Sequence, residues 1–260
     1  MHSNERKIIY VDTETTGLKQ HDRLCQLAFL VETIDKKENI DKKMYETFCN
    51  PNVQMSAEAF AVNQISDEML KNKPSLLDTD EYRLLSELNR PENILVAQNA
   101  PFDLGMLSKE GFEWKGQVID TVSCTRKLCN EDHRVSATSL QFLREVFDLF
   151  EAEEELASTL NVEVKAHDAV GDVVSLYALT QYLKSSKYFK DLVGMTKEEA
   201  LAQLSDKKDF LMRYIRFGKH NGKTFAEVLK EVPEYIDWVI KCDWMEPSIV
   251  YSAQALQSKQ

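Results

Sequence analysis

Residues 7–12, KIIYVD, set four apolar side chains in a row and end on a carboxylate. A run this short and this apolar reads as a buried strand, and the polar TETTGLKQHD that follows reads as a loop. In extended backbone, residues i and i+2 point to the same side. Asp12 and Glu14 therefore share one face at the end of that strand. Like charges held together are unfavourable unless something compensates them. A divalent cation is the obvious compensation, and an all-oxygen site suits magnesium or manganese. The alternative is that both carboxylates simply face solvent from a loop.

The elements that follow narrow the fold class. LCQLAFLVE (24–32) is a second strand, IDKKENIDKK (34–43) a charged hairpin turn, and MYETFCN (44–50) a third strand ended by Asn50 and Pro51. Short helical turns are expected at 56–65 and 66–72, each opened by a capping serine. A helix at 78–90 carries Tyr82, Leu84, Leu85 and Leu88 at helical spacing. NILVAQNA (93–100) is a strand. PFDLGMLSKEG (101–111) is a helix with proline in its first turn and glycine at its stop. QVIDTVSC (117–124) is a strand running into a helix, 139–150 is an amphipathic helix, and 166–184 is a long apolar helix. Three sequential strands followed by β-α-β imply an α/β layer with helices packed on a mixed sheet. The order does not suggest a parallel-only Rossmann domain, and no GxGxxG follows the first strand.

Three further residues come from other element ends. Asp103 follows the 93–100 strand, where it is either a site carboxylate or a favourable helix-start charge. His167 and Asp172 flank the start of the last long helix. His167 alone reads equally as a surface histidine, and Asp168 as the helix cap. Asp172 stands among Ala, Val, Gly and Leu, and an acid in such a stretch wants a cationic partner. Taken together, four carboxylates and a histidine suit two-metal phosphodiester hydrolysis, in which paired cations roughly 4 Å apart hold the phosphate. Histidine can accept the proton of the attacking water.

DTETTG (12–17), NAPFD (99–103) and HDAVGD (167–172) resemble, in order and spacing, the three motifs of the DEDDh 3′–5′ exonucleases. That family includes the proofreading epsilon subunit of bacterial DNA polymerase III, ribonuclease T and exonuclease X. The resemblance covers roughly residues 6–185. It implies the ribonuclease H-like exonuclease fold, a mixed five-stranded sheet flanked by helices. It also implies two divalent cations, Mg²⁺ with Mn²⁺ able to substitute. Asp12 would bridge both cations, Glu14 and Asp172 would complete the first site, Asp103 would hold the second, and His167 would be the general base. Thr15, Thr16 and Gly17 would shape the backbone beside the terminal nucleotide, Leu18 would wedge against its base, and Asn99 and Phe102 would support the Asp103 end. The reaction implied is release of nucleoside 5′-monophosphates from a 3′ end. One departure is Gln98, where family members often carry histidine.

The chain beyond about 188 reads as a separate unit. The catalytic region is expected over 1–188 and a small C-terminal segment over 191–260, opened by a capping box at Thr196 and Glu199. FGKHNGK (217–223) and PEYIDW (233–238) resemble the tail of exonuclease X, which narrows the resemblance toward DNA ends, single-stranded or in frayed duplex, and toward repair. A ribonuclease T-like exoribonuclease and a polymerase-associated epsilon-like subunit are the alternatives, with a non-enzymatic DNA-end-binding module behind them. Polymerase or repair proteins are the expected protein partners.

Charge limits how nucleic acid could be held. With 43 acidic and 32 basic residues the net charge is −11, so the chain does not coat nucleic acid with positive charge. Phosphate contacts are expected from Arg126, Lys127, Arg213, Arg216, Lys219, His220 and Lys223. Tyr214, Phe217, Tyr235 and Trp238 are either stacking surfaces or a small core. The acidic stretch 145–155 is expected to face solvent. Five scattered cysteines in no metal-binding pattern suggest reduced, structural thiols. No signal-peptide run opens the chain and no window reaches membrane-spanning length, so a cytoplasmic, bacterial setting is expected.

Overall fold

The computed structural model describes residues 6–34, 39–190 and 192–258. A five-stranded sheet forms from β1 (Lys7–Thr15), β2 (Leu24–Ile34), β3 (Ile40–Phe48), β4 (Ile94–Ala97) and β5 (Gln117–Asp120), in the order β3-β2-β1-β4-β5. The first three strands form an antiparallel meander, and β4 and β5 add to it in parallel. Helices α1 (Ala57–Asn63), α2 (Asp67–Leu70), α3 (Asp80–Leu88), α4 (Ala100–Lys109), α5 (Thr121–Leu128), α6 (Leu140–Val146), α7 (Phe150–Leu160), α8 (Ala169–Lys184) and α9 (Lys197–Asp206) follow. Beyond them lie α10 (Phe225–Glu231), α11 (Pro233–Lys241) and α12 (Pro247–Gln257).

The central strands are covered on both faces, which is why they read as unbroken apolar runs. Ile8, Tyr10, Ala28, Leu30 and Val96 point to one core, shared with α8 and α9. Ile9, Val11, Leu27, Phe29 and Leu95 point to the other, shared with α3 and α4. Phe29 is fully buried, and truncating a side chain so placed costs about 3–5 kcal/mol.

Several boundaries differ from the sequence reading. β1 runs on to Thr15, because its end still pairs with β2 after β4 has stopped. Ile34 and Ile40–Lys43, expected in a turn, belong to paired strands, with Ile34 opposite Ile40. Residues 35–38 of that turn lie outside the described residues. The helix expected over 139–150 ends at Val146, where Asp148 takes a positive φ of 50°, and α7 starts afresh at Phe150. Within the acidic stretch Glu153 is 2% exposed rather than solvent-facing, because it pairs with Arg144.

Helix α9 opens with the expected capping box, yet it packs on the main layer. Ala200, Leu201, Ala202 and Leu204 belong to the core shared with α8. A separate core of Ile215, Phe225, Val228, Ile236 and Val239 unites α10, α11 and α12. The second core therefore begins near Phe210, later than residue 191. All five cysteines are unpaired thiols. No helix among the described residues is long and apolar enough to cross a membrane.

Candidate active site

Parallel pairing of β1 with β4 puts their carboxyl ends at one edge of the sheet. β4 ends at Ala97, while β1 continues for several residues beyond its last pair with it, Tyr10–Val96. The overhang carries Asp12, Thr13 and Glu14. Alternation turns Asp12 and Glu14 to the side of Ile8 and Tyr10, where α8 packs. Tyr10 meets Tyr177 of α8 edge-on at 5.2 Å, which fixes that helix against the strand. Asp172, in the first turn of α8, thereby joins the pair. One carboxylate oxygen from each of Asp12, Glu14 and Asp172 lies within 4.8 Å of the others.

Asp103 arrives from the opposite side. Thr13 faces α4, and its hydroxyl donates to Asp103 Oδ1 at 2.7 Å. Asp103 is 2% exposed and lies outside the three-carboxylate cluster, but its charge acts on Asp12. Asn99 makes the turn from β4 into α4 in the left-handed region, φ 62°, and its carbonyl accepts from the Phe102 N–H at 2.8 Å.

Electrostatics single these groups out. Burial, and then the charges of Asp103, Asp172 and Glu14, push the Asp12 carboxyl well above its ordinary range. Burial raises Glu14 to about 7, although Asn63 donates to it. Asp103 is also raised to about 7 by burial, against the Thr13 hydrogen bond. Asp172 is raised by burial to about 6, with His167 and Arg144 pulling it down. No ion pair to any of these four carboxylates occurs among the described residues. An all-oxygen, uncompensated donor set of this kind fits a hard divalent cation.

His167 is exposed, with a positive φ of 58°, two residues before α8. Gly171 sets that loop in place. A Cβ at Gly171 would lie 2.0 Å from the Lys165 carbonyl oxygen, so the loop can run this close only over a glycine. Asp168 occupies the helix-cap position, but its side chain accepts from Gln26 Nε2 at 2.9 Å instead of from the helix. A buried amide on β2 competes better for it than the cap N–H groups do.

The 12–17 loop is equally fixed. Thr15, Thr16 and Gly17 are buried, and Leu18 stands 85% exposed at the tip. The Asp22 carboxylate accepts from Thr16 Oγ1 at 3.0 Å and from the Lys19 N–H at 2.6 Å. It sits 2.5 Å from where a Gly17 Cβ would be, so a side chain there would displace this carboxylate from its donors. Gln98 donates to the Thr138 carbonyl and accepts from the Thr121 hydroxyl, tying β4's end to α5 and the following loop.

Most of the cations expected at phosphate turn out to be structural. Lys127 is 4% exposed, and its Nζ donates to Ser123 Oγ and the Leu204 and Ser205 carbonyls. Arg126 pairs with Glu246 at 2.6 Å. Arg216 is 8% exposed and donates to the carbonyls of Val135, Cys129 and Asp132. Arg213 pairs with Glu131. These four lock the main layer and the C-terminal unit internally or to one another. His220 is buried. Lys219 and Lys223 are exposed, Lys219 lying 5.7 Å over the Tyr235 ring and Lys223 pairing with Glu231 at 2.5 Å. Trp238 is 44% exposed and Trp244 75%, so the tail's aromatics are only partly its core.

Four residues at the site were not anticipated. Thr13 and Gln141 donate to Asp103 and Asp172, Asn63 donates to the Thr15 carbonyl beside Glu14, and Gln26 donates to Asp168 beside His167. Only Thr13 carried a signal, as the residue between Asp12 and Glu14.

The family model described as Exonuclease matches residues 9–180, and one described as Exodeoxyribonuclease X-like C-terminal matches residues 215–241. The chain is 32% identical over 149 residues to DNA polymerase III PolC-type of Bacillus subtilis, covering 53% of this chain and 10% of that one. Its counterpart in Bacillus cereus is 34% identical over 140 residues, covering 51% and 9%. The chain thus spans about a tenth of the length of these relatives. Exonuclease X in complex with 5′ overhanging duplex DNA shares the fold, at TM-score 0.52 and 21% identity, over 76% of this chain and 99% of that one. Exonuclease I of E. coli in complex with a dA16 oligonucleotide does so at TM-score 0.51 and 17% identity, over 70% and 41%. A match across two thirds of the sequence, on the fold of solved exonucleases, makes this chain a nuclease hydrolase of the RNase T exonuclease family.

Proposed function

We propose that the chain is a 3′–5′ exodeoxyribonuclease that releases nucleoside 5′-monophosphates from DNA 3′ ends. The observation that carries this is the convergence of Asp12, Glu14 and Asp172 within 4.8 Å, beside a buried Asp103, with no ion pair to any of them among the described residues. Two divalent cations, Mg²⁺ or Mn²⁺, would supply Lewis acidity to the attacking water and the phosphate when bound. Asp12, Glu14 and Asp172 would hold one, and Asp103 would contribute with Asp12 to the other. His167, exposed at the rim, accepts the water proton as the oxygen attacks phosphorus. The bond from phosphorus to the 3′ oxygen of the penultimate nucleotide breaks, and that oxygen takes a proton from solvent to become the new 3′ hydroxyl. Leu18, on a loop stiffened by Asp22, packs against the terminal base, and Thr15, Thr16 and Gly17 present backbone to that nucleotide. Asn99 and Phe102 shape the Asp103 side.

DNA is favoured over RNA by the exodeoxyribonuclease X-like C-terminal match and by the fold shared with an exonuclease bound to duplex DNA. We assign residues 1–188 to catalysis and the C-terminal unit to DNA contact through Lys219, Lys223 and the exposed Trp238. Five unpaired cysteines fit a reducing cytosol. The polymerase III relatives favour a second reading, in which the same chemistry proofreads beside a polymerase. Matched DNA and RNA single strands with Mg²⁺ test the proposal. Faster loss of DNA supports it, and preferential loss of RNA overturns the substrate assignment. Asp12→Ala and His167→Ala should each abolish degradation, and unchanged activity in both overturns the site.

A further inference from the structure

Asp172 is gripped from outside the carboxylate cluster. Its Oδ1 accepts from Gln141 Nε2 at 2.9 Å, across 31 residues of sequence. A side-chain amide can be turned either way round, and Arg144 decides the matter. Arg144 Nη1 donates to Gln141 Oε1 at 2.6 Å. A guanidinium carries donors only, so the amide oxygen must face Arg144 and the NH₂ must face Asp172. Arg144 is fixed in turn by two parallel bonds, from Nε and Nη2 to the two oxygens of Glu153, each 2.7 Å. Glu153 is 2% exposed, on α7. Asp103 and Glu14 also receive neutral donors, from Thr13 and Asn63. Of these, only the donor to Asp172 is backed by an ion pair among the described residues.

We propose that Gln141, oriented by the Arg144–Glu153 pair, is a positioning residue for Asp172. It fixes the plane of that carboxylate and occupies one lone pair, leaving the others for a cation. The proposal rests on the reading of Asp172 as a cation ligand. Hydrogen-bond partners behind metal ligands commonly control affinity by 10–100-fold. A purely architectural role, tying α6 and α7 to α8, would change thermal stability and leave cation affinity alone.

The test is calorimetric titration of Mn²⁺ into the full chain, stripped with chelator, without DNA. Gln141→Met keeps the volume and removes the amide. It should weaken Mn²⁺ binding by about tenfold or more while circular dichroism stays unchanged. Arg144→Gln with Glu153→Gln keeps neutral partners but frees the amide to turn, and should give a smaller loss, about threefold. The Mg²⁺ concentration for half-maximal nuclease rate should rise by matching factors, with kcat at saturating Mg²⁺ changing less. A Mn²⁺ affinity within twofold of wild type in folded Gln141→Met overturns the proposal. Should that variant not fold, an unchanged affinity in the double variant overturns it. If wild type and Asp12→Ala bind Mn²⁺ alike, the cation site itself is wrong, whatever Gln141 does.

Discussion

Glu14→Gln should make the metal-free protein more stable while destroying its activity. Burial holds the Glu14 carboxyl at about 7 against an ordinary 4.5. At 1.36 kcal/mol per pH unit, ionising it in the folded state costs about 3 kcal/mol, and partial contact with water reduces this to about 2 kcal/mol. The folded-state value is raised, so between pH 4.5 and 7 the native state binds more protons than the unfolded chain. Stability from this group is therefore full below 4.5 and is lost as pH rises through 7. Glutamine removes the charge and keeps an oxygen for the Asn63 amide. For a domain of this size, 1 kcal/mol moves the midpoint by roughly 2–4 °C. In EDTA at pH 8 the variant should melt about 4–8 °C higher than wild type, and the gap should close as pH falls toward 4.5. Saturating Mn²⁺ should reverse the order, because only wild type gains the full binding energy. Differential scanning calorimetry at three pH values reads all of this. A variant equal to or less stable than wild type in EDTA at pH 8 would refute the electrostatic reasoning.

Other consequences follow from the same geometry. Gly171→Ala drives a methyl into the Lys165 carbonyl, 2.0 Å away. It should displace His167 and lower kcat by about tenfold or more, with KM for DNA little changed, whereas Gly105→Ala, with open space around it, should be silent in the same steady-state assay. Arg216→Ala leaves the Val135 carbonyl without its donor and removes one of two from the Asp132 carbonyl; it should cost about 2–3 kcal/mol by urea denaturation and raise amide exchange across 130–138. Because Glu14 and Asp103 sit at about 7 and Asp172 at about 6, cations compete with protons, and Mn²⁺ affinity should rise about tenfold or more from pH 6 to 8, with proton release visible in buffers of different ionisation heat.

Strands β1, β2 and β4 were legible because each carries an apolar run buried on both faces. Helix α8 was legible for the same reason, with Asp172 standing out as its one acid. Helix α7 was not, since FEAEEELASTL is charged on most of its turns and Glu153 becomes a core residue only through Arg144. The site carboxylates could be read because strand alternation and element ends are local. Their donors could not: Thr13 reaches Asp103 across 90 residues and Gln141 reaches Asp172 across 31. Charge alone misled at Arg126, Lys127, Arg213 and Arg216. In sequence they look free for phosphate, while in the fold they are engaged by carbonyls and carboxylates of the protein itself.

The most direct test is where hydrolysis starts and what it needs. Single-stranded DNA labelled at its 5′ end, incubated with Mg²⁺, should shorten one nucleotide at a time from the 3′ end and release nucleoside 5′-monophosphates. EDTA should stop it, and Asp103→Asn, which keeps an acceptor for Thr13, should slow it by about a thousandfold or more. Shortening from the 5′ end, release of 3′-monophosphates, or undiminished degradation by Asp103→Asn would contradict the account.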